Sequence, residues 1–98
     1  MIATELEIKE FSEQIGIDQH ELIRQSLLMF IWGKLREVKT ELFVLQKEYN
    51  VETVYEFEKL YEEGKIDENR TFGDYQKFDR LVYELELFEE FIKKFRNG

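Results

Sequence analysis

The chain has 98 residues, contains neither Pro nor Cys, and carries one His. Zero Cys excludes a disulfide framework, a thiolate zinc site and a Cys nucleophile, and one His excludes a histidine cluster for a metal. With 14 basic against 22 acidic residues the net charge is −8, and the expectation is one soluble, cytoplasmic, cofactor-free domain spanning 1–98. No stretch reads as a membrane span: the longest unbroken apolar run, Leu27 to Trp32, has six residues where a crossing needs about 20. Nine Phe, five Tyr and one Trp are a heavy aromatic load for so small a chain. Either they fill a dense core or some of them anchor an interface.

Capping chemistry divides the chain. In 1–16, Thr4 and Glu7 form a capping box that predicts a short helix from Glu5 to Ile15. The alternation of Ile2, Thr4, Leu6 and Ile8 with Ala3, Glu5, Glu7 and Lys9 also fits a strand. Gly16 suits the left-handed position after a helix, and Asp18 with Glu21 opens a long one over 18–49. Asn50 can adopt the left-handed conformation and stop it. Thr53 and Glu56 open a short helix over 53–63, closed by Gly64. Residues 67–73 read as a polar turn. Thr71 with Asp74 then starts the last helix, over 71–96, with Lys93, Lys94 and Arg96 at its negative end.

Two stripes run at strict three-four spacing. The first is Leu28, Ile31, Leu35, Val38, Leu42, Leu45 and Tyr49. The second is Phe78, Leu81, Leu85, Phe88, Ile92 and Phe95. About equal in length, they predict an all-α fold: an antiparallel hairpin of two long helices with the short helix in its connection. Neither stripe carries recurring polar ligands, so core packing explains both. Leu27 to Trp32 departs from this pattern, because six successive apolar residues cover every side of a helix and call for cover on every side. The expectation is a homo-oligomer built around Leu27, Met29, Phe30 and Trp32. Gly33, costing up to ~1 kcal/mol of helix stability, would allow another backbone to approach.

No constellation points to catalysis. A carboxylate metal site in a bundle needs a Glu-x-x-His pair, and the one His, His20, has Ile17 three residues before it. Residues 67–78 place Asp67, Asn69 and Thr71 at calcium-loop positions, but Phe72 stands where Gly is needed and Phe78 where Glu is needed. There is no Gly-rich phosphate loop and no nucleophile signature. Both halves of the chain are acidic, which disfavours direct DNA contact and suits a basic partner.

Phe11 to Leu35 resembles the Gly-Ile-(Ser/Asp)-x-x-Glu-Leu-Ile-Arg segment of small prokaryotic antitoxins, ribbon-helix-helix types among them. The matching residues are Gly16, Ile17, Asp18, Glu21, Leu22, Ile23 and Arg24. Leu45 to Glu63, with Gly64, resembles the long helix, Val and short Glu-rich helix that follow in such proteins. The resemblance implies a small basic toxin as partner, neutralised by contact with 53–96, with Tyr55, Tyr61 and Asp74 as exposed contact residues. The chain departs from the ribbon-helix-helix pattern, since too few residues separate Ile8 from Gly16 for a first full helix. The alternative is a homo-oligomeric helical scaffold that spends its aromatic excess on self-association.

Overall fold

A computed structural model describes residues 4–97. The fold is all-α: α1 (Glu5–Ile15), α2 (Gln19–Tyr49), α3 (Val54–Glu62) and α4 (Glu68–Asn97). The caps explain the boundaries. The Glu7 amide donates to Thr4 Oγ1, the Glu21 amide to Asp18 Oδ2 and the Glu56 amide to Thr53 Oγ1, at 3.3, 3.2 and 3.1 Å. Each satisfies one of the orphan donors at a helix start. Gly16 and Gly64 take positive φ of 74° and 67°, and Asn50 takes 54°, so the chain turns at the three positions best able to leave the helical region. Over 5–9 the backbone is helical, and Thr4 is its extended cap; the remainder of the alternating segment, residues 2 and 3, lies outside the described residues.

One boundary differs from the sequence reading. α4 starts at Glu68 rather than at 71, because Asp67 caps it first. Asp67 Oδ1 accepts from the Asn69 amide at 2.9 Å, and the Asp67 carbonyl accepts from the Thr71 amide at 3.1 Å. Thr71 therefore sits inside the first turn, its Oγ1 2.8 Å from the Asp67 carbonyl oxygen and 2.9 Å from the Tyr61 hydroxyl.

α2 and α4 pack as the antiparallel hairpin along both heptad stripes. The main core joins Val38, Leu42, Leu45, Val51, Phe57, Phe78 and Leu81 at the end closed by α3. A smaller one at the open end joins Ile31, Leu35 and Ile92. Phe57, Phe78 and Leu81 are fully enclosed. Every residue of both stripes is at least half-buried, the outcome that three-four spacing dictates for two helices sharing one seam.

The molecule is a thin layer, 61 × 30 × 16 Å, with a radius of gyration of 19.4 Å; a compact chain of this length would have about 13 Å. Its accessible surface is 7818 Å² for 12.0 kDa, against roughly 6,000 Å² for a compact monomer of that mass. In this single layer each long helix packs chiefly on the other, with α1 against α2 and α3 against α4 as lesser contacts, and that geometry leaves the surface described next.

Candidate protein-binding surface

Large apolar side chains lie on the outside of the layer. On α2, Met29 is 76% exposed and Phe30 61%, and Leu27, Trp32, Phe43 and Val44 are exposed as well. Within the run 27–32, only Ile31 is buried and Leu28 half-buried. The chain itself thus does not cover the run on every side. At 100° per residue Leu27 and Phe30 share a side of α2 with Ile23, while Met29 and Trp32 point to another side with Phe43. The four residues expected to self-associate therefore cannot all enter one interface. α1 repeats the theme: Leu6, Phe11 and Ile15 are exposed, and only Ser12 is buried, its hydroxyl donating to the Lys9 carbonyl at 2.9 Å.

Gly33 faces away from α4, and a Cβ built on it meets nothing within 4 Å. Among the described residues, no backbone makes the close approach that a glycine there would permit.

The three expected partner-contact residues separate. Tyr55 is 78% exposed. Tyr61 and Asp74 are half-buried and turned inward, contrary to expectation. Tyr61 packs at a tilt against the enclosed Phe57 at 5.7 Å and edge-to-face against Tyr75 at 5.8 Å. Asp74 accepts a 2.5 Å hydrogen bond from the Tyr49 hydroxyl, and Glu58 accepts one of 2.5 Å from Tyr75. These bonds let a cluster of phenols enter the core without stranded hydroxyls. Burial, and then the Asp74 carboxylate, push the Tyr49 phenol well above its ordinary value. The Glu58 hydrogen bond, and then burial, push Tyr75 up to about 12. Both shifts favour the neutral phenol.

Glu21 and Arg24, two residues that carry the antitoxin resemblance, are engaged within the chain. Arg24 donates through Nε and Nη2 to the two Glu21 carboxylate oxygens at 3.1 and 2.8 Å. Its Nη1 donates to the Phe95 carbonyl at 2.9 Å. A guanidinium against the last turn of α4 satisfies a free carbonyl and complements the negative helix end. The Arg24 and Gln25 hydrogen bonds hold the Glu21 carboxyl below the usual range. Sequence reading missed this clamp; Glu21-x-x-Arg24, a bidentate pair at helical spacing, was its only visible trace.

The two sides of the α2–α4 layer differ in charge. On one, Lys34 pairs with Glu37, Lys77 lies 3.9 Å from Glu41, and Arg80 pairs with Glu84. Tyr83 and Phe88 line the groove between these pairs. On the other, Trp32, Leu35, Arg36 and Lys39 line a shallow groove, and no ion pair forms there among the described residues. His20 is exposed. Among the described residues no group of three or more His, Asp or Glu is placed to hold a metal ion, and no helix is long and apolar enough to cross a membrane.

The profile of the uncharacterized protein MJ0235 family matches residues 1–98. The chain belongs to that family. No curated protein and no solved structure matches it. For this MJ0235-family chain, the exposed apolar faces and the charge segregation are therefore the features from which function has to be argued.

Proposed function

We propose that the chain is a non-catalytic protein–protein interaction module. The observation that carries this reading is the apolar surface left on a layer one helix thick, from Leu6 on α1 through Phe30 and Phe43 on α2 to Phe91 on α4. Exposed apolar patches on so thin a frame mark a place for another protein chain. The phenol cluster, a group of polar side chains drawn toward the interior, is used to pack α3 against the hairpin and presents no aligned nucleophile and base.

Neutralisation of a small basic toxin is the narrower form of this reading. It rests on the sequence resemblance and on the acidity of 53–96, with Tyr55 as the contact residue that remains at the surface. Tyr61 and Asp74 no longer contribute to it. The homo-oligomeric alternative has the stronger physical support, since the surface of one chain exceeds that of a compact monomer by about 1,800 Å², more than the roughly 800 Å² that a standard interface takes from each partner.

The test is purification of the tagged chain after co-expression with the neighbouring gene product, read by native mass spectrometry. A complex of fixed stoichiometry, with itself or with that product, is expected. A monomer across the micromolar range with no stoichiometric companion overturns the reading.

A further inference from the structure

The side of the layer without ion pairs is the more informative one. On α2, Met29, Trp32, Arg36, Lys39, Phe43 and Lys47 continue the three-four spacing, turned about 110° from the core stripe. No acidic residue interrupts them. On α4, Asp79, Val82, Glu86 and Glu89 form a second stripe, ending in Lys93 at the open end, turned about 110° from that helix's core stripe in the same rotational sense. On antiparallel helices facing each other, equal turns in the same sense bring both stripes to the same side of the layer. That side therefore carries a basic-aromatic band on α2 beside an acidic band on α4. Arg36, Lys39, Asp79, Glu86 and Glu89 are all exposed, and none takes part in an ion pair among the described residues. The opposite side, by contrast, pairs its charges within the chain.

We infer that this side binds a second copy of the chain, forming a twofold dimer in which α2 of each protomer lies over α4 of its partner. The inference specifies one occupant for the interaction surface and rests on that reading. Charge complementarity selects the arrangement. A twofold axis parallel to the helices lays α2 of one protomer over α4 of the other, so the basic band meets the acidic band twice. A twofold axis across the helices would lay α2 on α2, basic band on basic band, and like charges repel. The parallel axis also preserves height along the layer. Arg24 lies level with Phe95, and Glu41 level with Lys77. Arg36 and Lys39 then come opposite the partner's 79–86 stretch, which carries Asp79, Val82 and Glu86, and Trp32 opposite its Glu89.

The size fits. A face within a 61 by 30 Å outline accommodates the roughly 800 Å² per partner of a stable interface. α3 bounds it at the closed end, where Glu52 and Glu56 lie beside Phe43 and Lys47. The product is a four-helix bundle whose second seam contains Met29, Trp32 and Phe43. A basic-aromatic band can also stack single-stranded nucleic acid. Here the acidic band beside it and the net charge of −8 repel a phosphate chain.

The experiment uses two charge-reversed variants of the full chain, R36E/K39E and D79K/E86K, with native mass and sedimentation as readouts and circular dichroism as a check on folding. The wild type is expected to dimerise. Each variant alone sets like charges face to face and raises the dissociation constant by about a hundredfold or more. The equimolar mixture regains a dimer of one copy of each, because both contacts become complementary again. Trp32→Glu weakens the dimer, and Phe30→Glu, on the other side of α2, leaves it intact. Variants that stay dimeric alone, or a mixture that gains nothing, overturn this geometry while leaving a protein-interaction role standing. A wild-type monomer that binds a single-stranded oligonucleotide through Arg36 and Lys39 overturns the self-association itself.

Discussion

The two ends of the hairpin are built from the same heptad pattern and reach different degrees of burial. At the closed end, α2, α3 and α4 converge, and Phe57 inserts among Tyr49, Tyr61, Tyr75 and Phe78 at centroid distances of 4.5–5.8 Å. At the open end the core between α2 and α4 shrinks to Ile31, Leu35 and Ile92 with half-buried neighbours. Three-four spacing decides which residues face the partner helix. The number of elements that converge decides how much water is removed from them.

Deleting a ring at the closed end is the strongest way to test that difference. Phe57→Ala leaves a cavity among four aromatic neighbours with no free element to collapse into it, and is expected to cost about 3–5 kcal/mol. Ile92→Ala at the open end should cost about 2 kcal/mol, the lower end for such truncations, because the loose neighbours can close in. Equilibrium urea denaturation of the two variants, at a concentration too low for association, measures both. Equal losses would mean that the open end is as tightly packed as the closed one.

Association should reverse part of this asymmetry. A second copy on α2 and α4 covers Met29 and Trp32, which lie nearer the open end. Mass action then makes the thermal midpoint rise with protein concentration. The expected rise is a few degrees over a hundredfold range, and R36E/K39E abolishes it. A midpoint independent of concentration in the wild type would leave the open end uncovered.

Most of this architecture could be read from residues. Asp18, Asn50, Thr53 and Gly64 mark their boundaries because each supplies a side-chain acceptor or a left-handed backbone where the helix needs one. Asp67 was harder to see: it competes with Thr71 for the same role, and an upstream Asp with a free amide two residues on captured the helix start first. Tyr61 and Asp74 were misplaced for a related reason. Each has a polar tip that suggests solvent, yet Asp74 extends the stripe of Phe78, Leu81 and Leu85 by one heptad step, and Tyr61 lies one turn after Phe57. Period thus pointed inward while polarity pointed outward. The Tyr49–Asp74 bond that resolves the conflict joins residues 25 apart, beyond any local pattern. The Arg24–Phe95 clamp spans 71 positions and has the same cause.

The phenol cluster predicts a pH dependence confined to the closed end. An unfolded tyrosine ionises near 10.0, whereas Tyr75 in the fold is pushed up to about 12, first by the Glu58 hydrogen bond. Tyr49 is raised too, by burial and by Asp74. A raised acid pKa means that the folded state holds its proton longer. Below pH 10 both states are protonated and stability is fully present; as pH rises from 10 toward 12 the unfolded state alone sheds protons and stability is lost. Urea titrations between pH 8 and 11.5 should show a flat region and then a decline. Tyr75→Phe should make that decline shallower, and a variant that declines as steeply as the wild type would place the titration elsewhere.

The smallest effects concern two glycines inside the long helices. Gly33 and Gly73 each have room for a Cβ, with nothing within 4 Å, and neither has a positive φ. Alanine is the better helix former, so each replacement should stabilise the isolated protomer by up to about 1 kcal/mol. Their contrast with Gly64 is informative: at φ 67° an alanine there should instead destabilise, by about 1 kcal/mol. Gly33 also bears on the dimer. It lies on the outer side of α2, away from α4 and at the edge of the basic band beside Arg36, so Gly33→Ala, which adds one methyl group, should raise the protomer's stability and change the dimer dissociation constant little. If the same substitution weakened association, another backbone would have to approach Gly33, and the interface would lie along the outer side of α2 rather than across the charged bands.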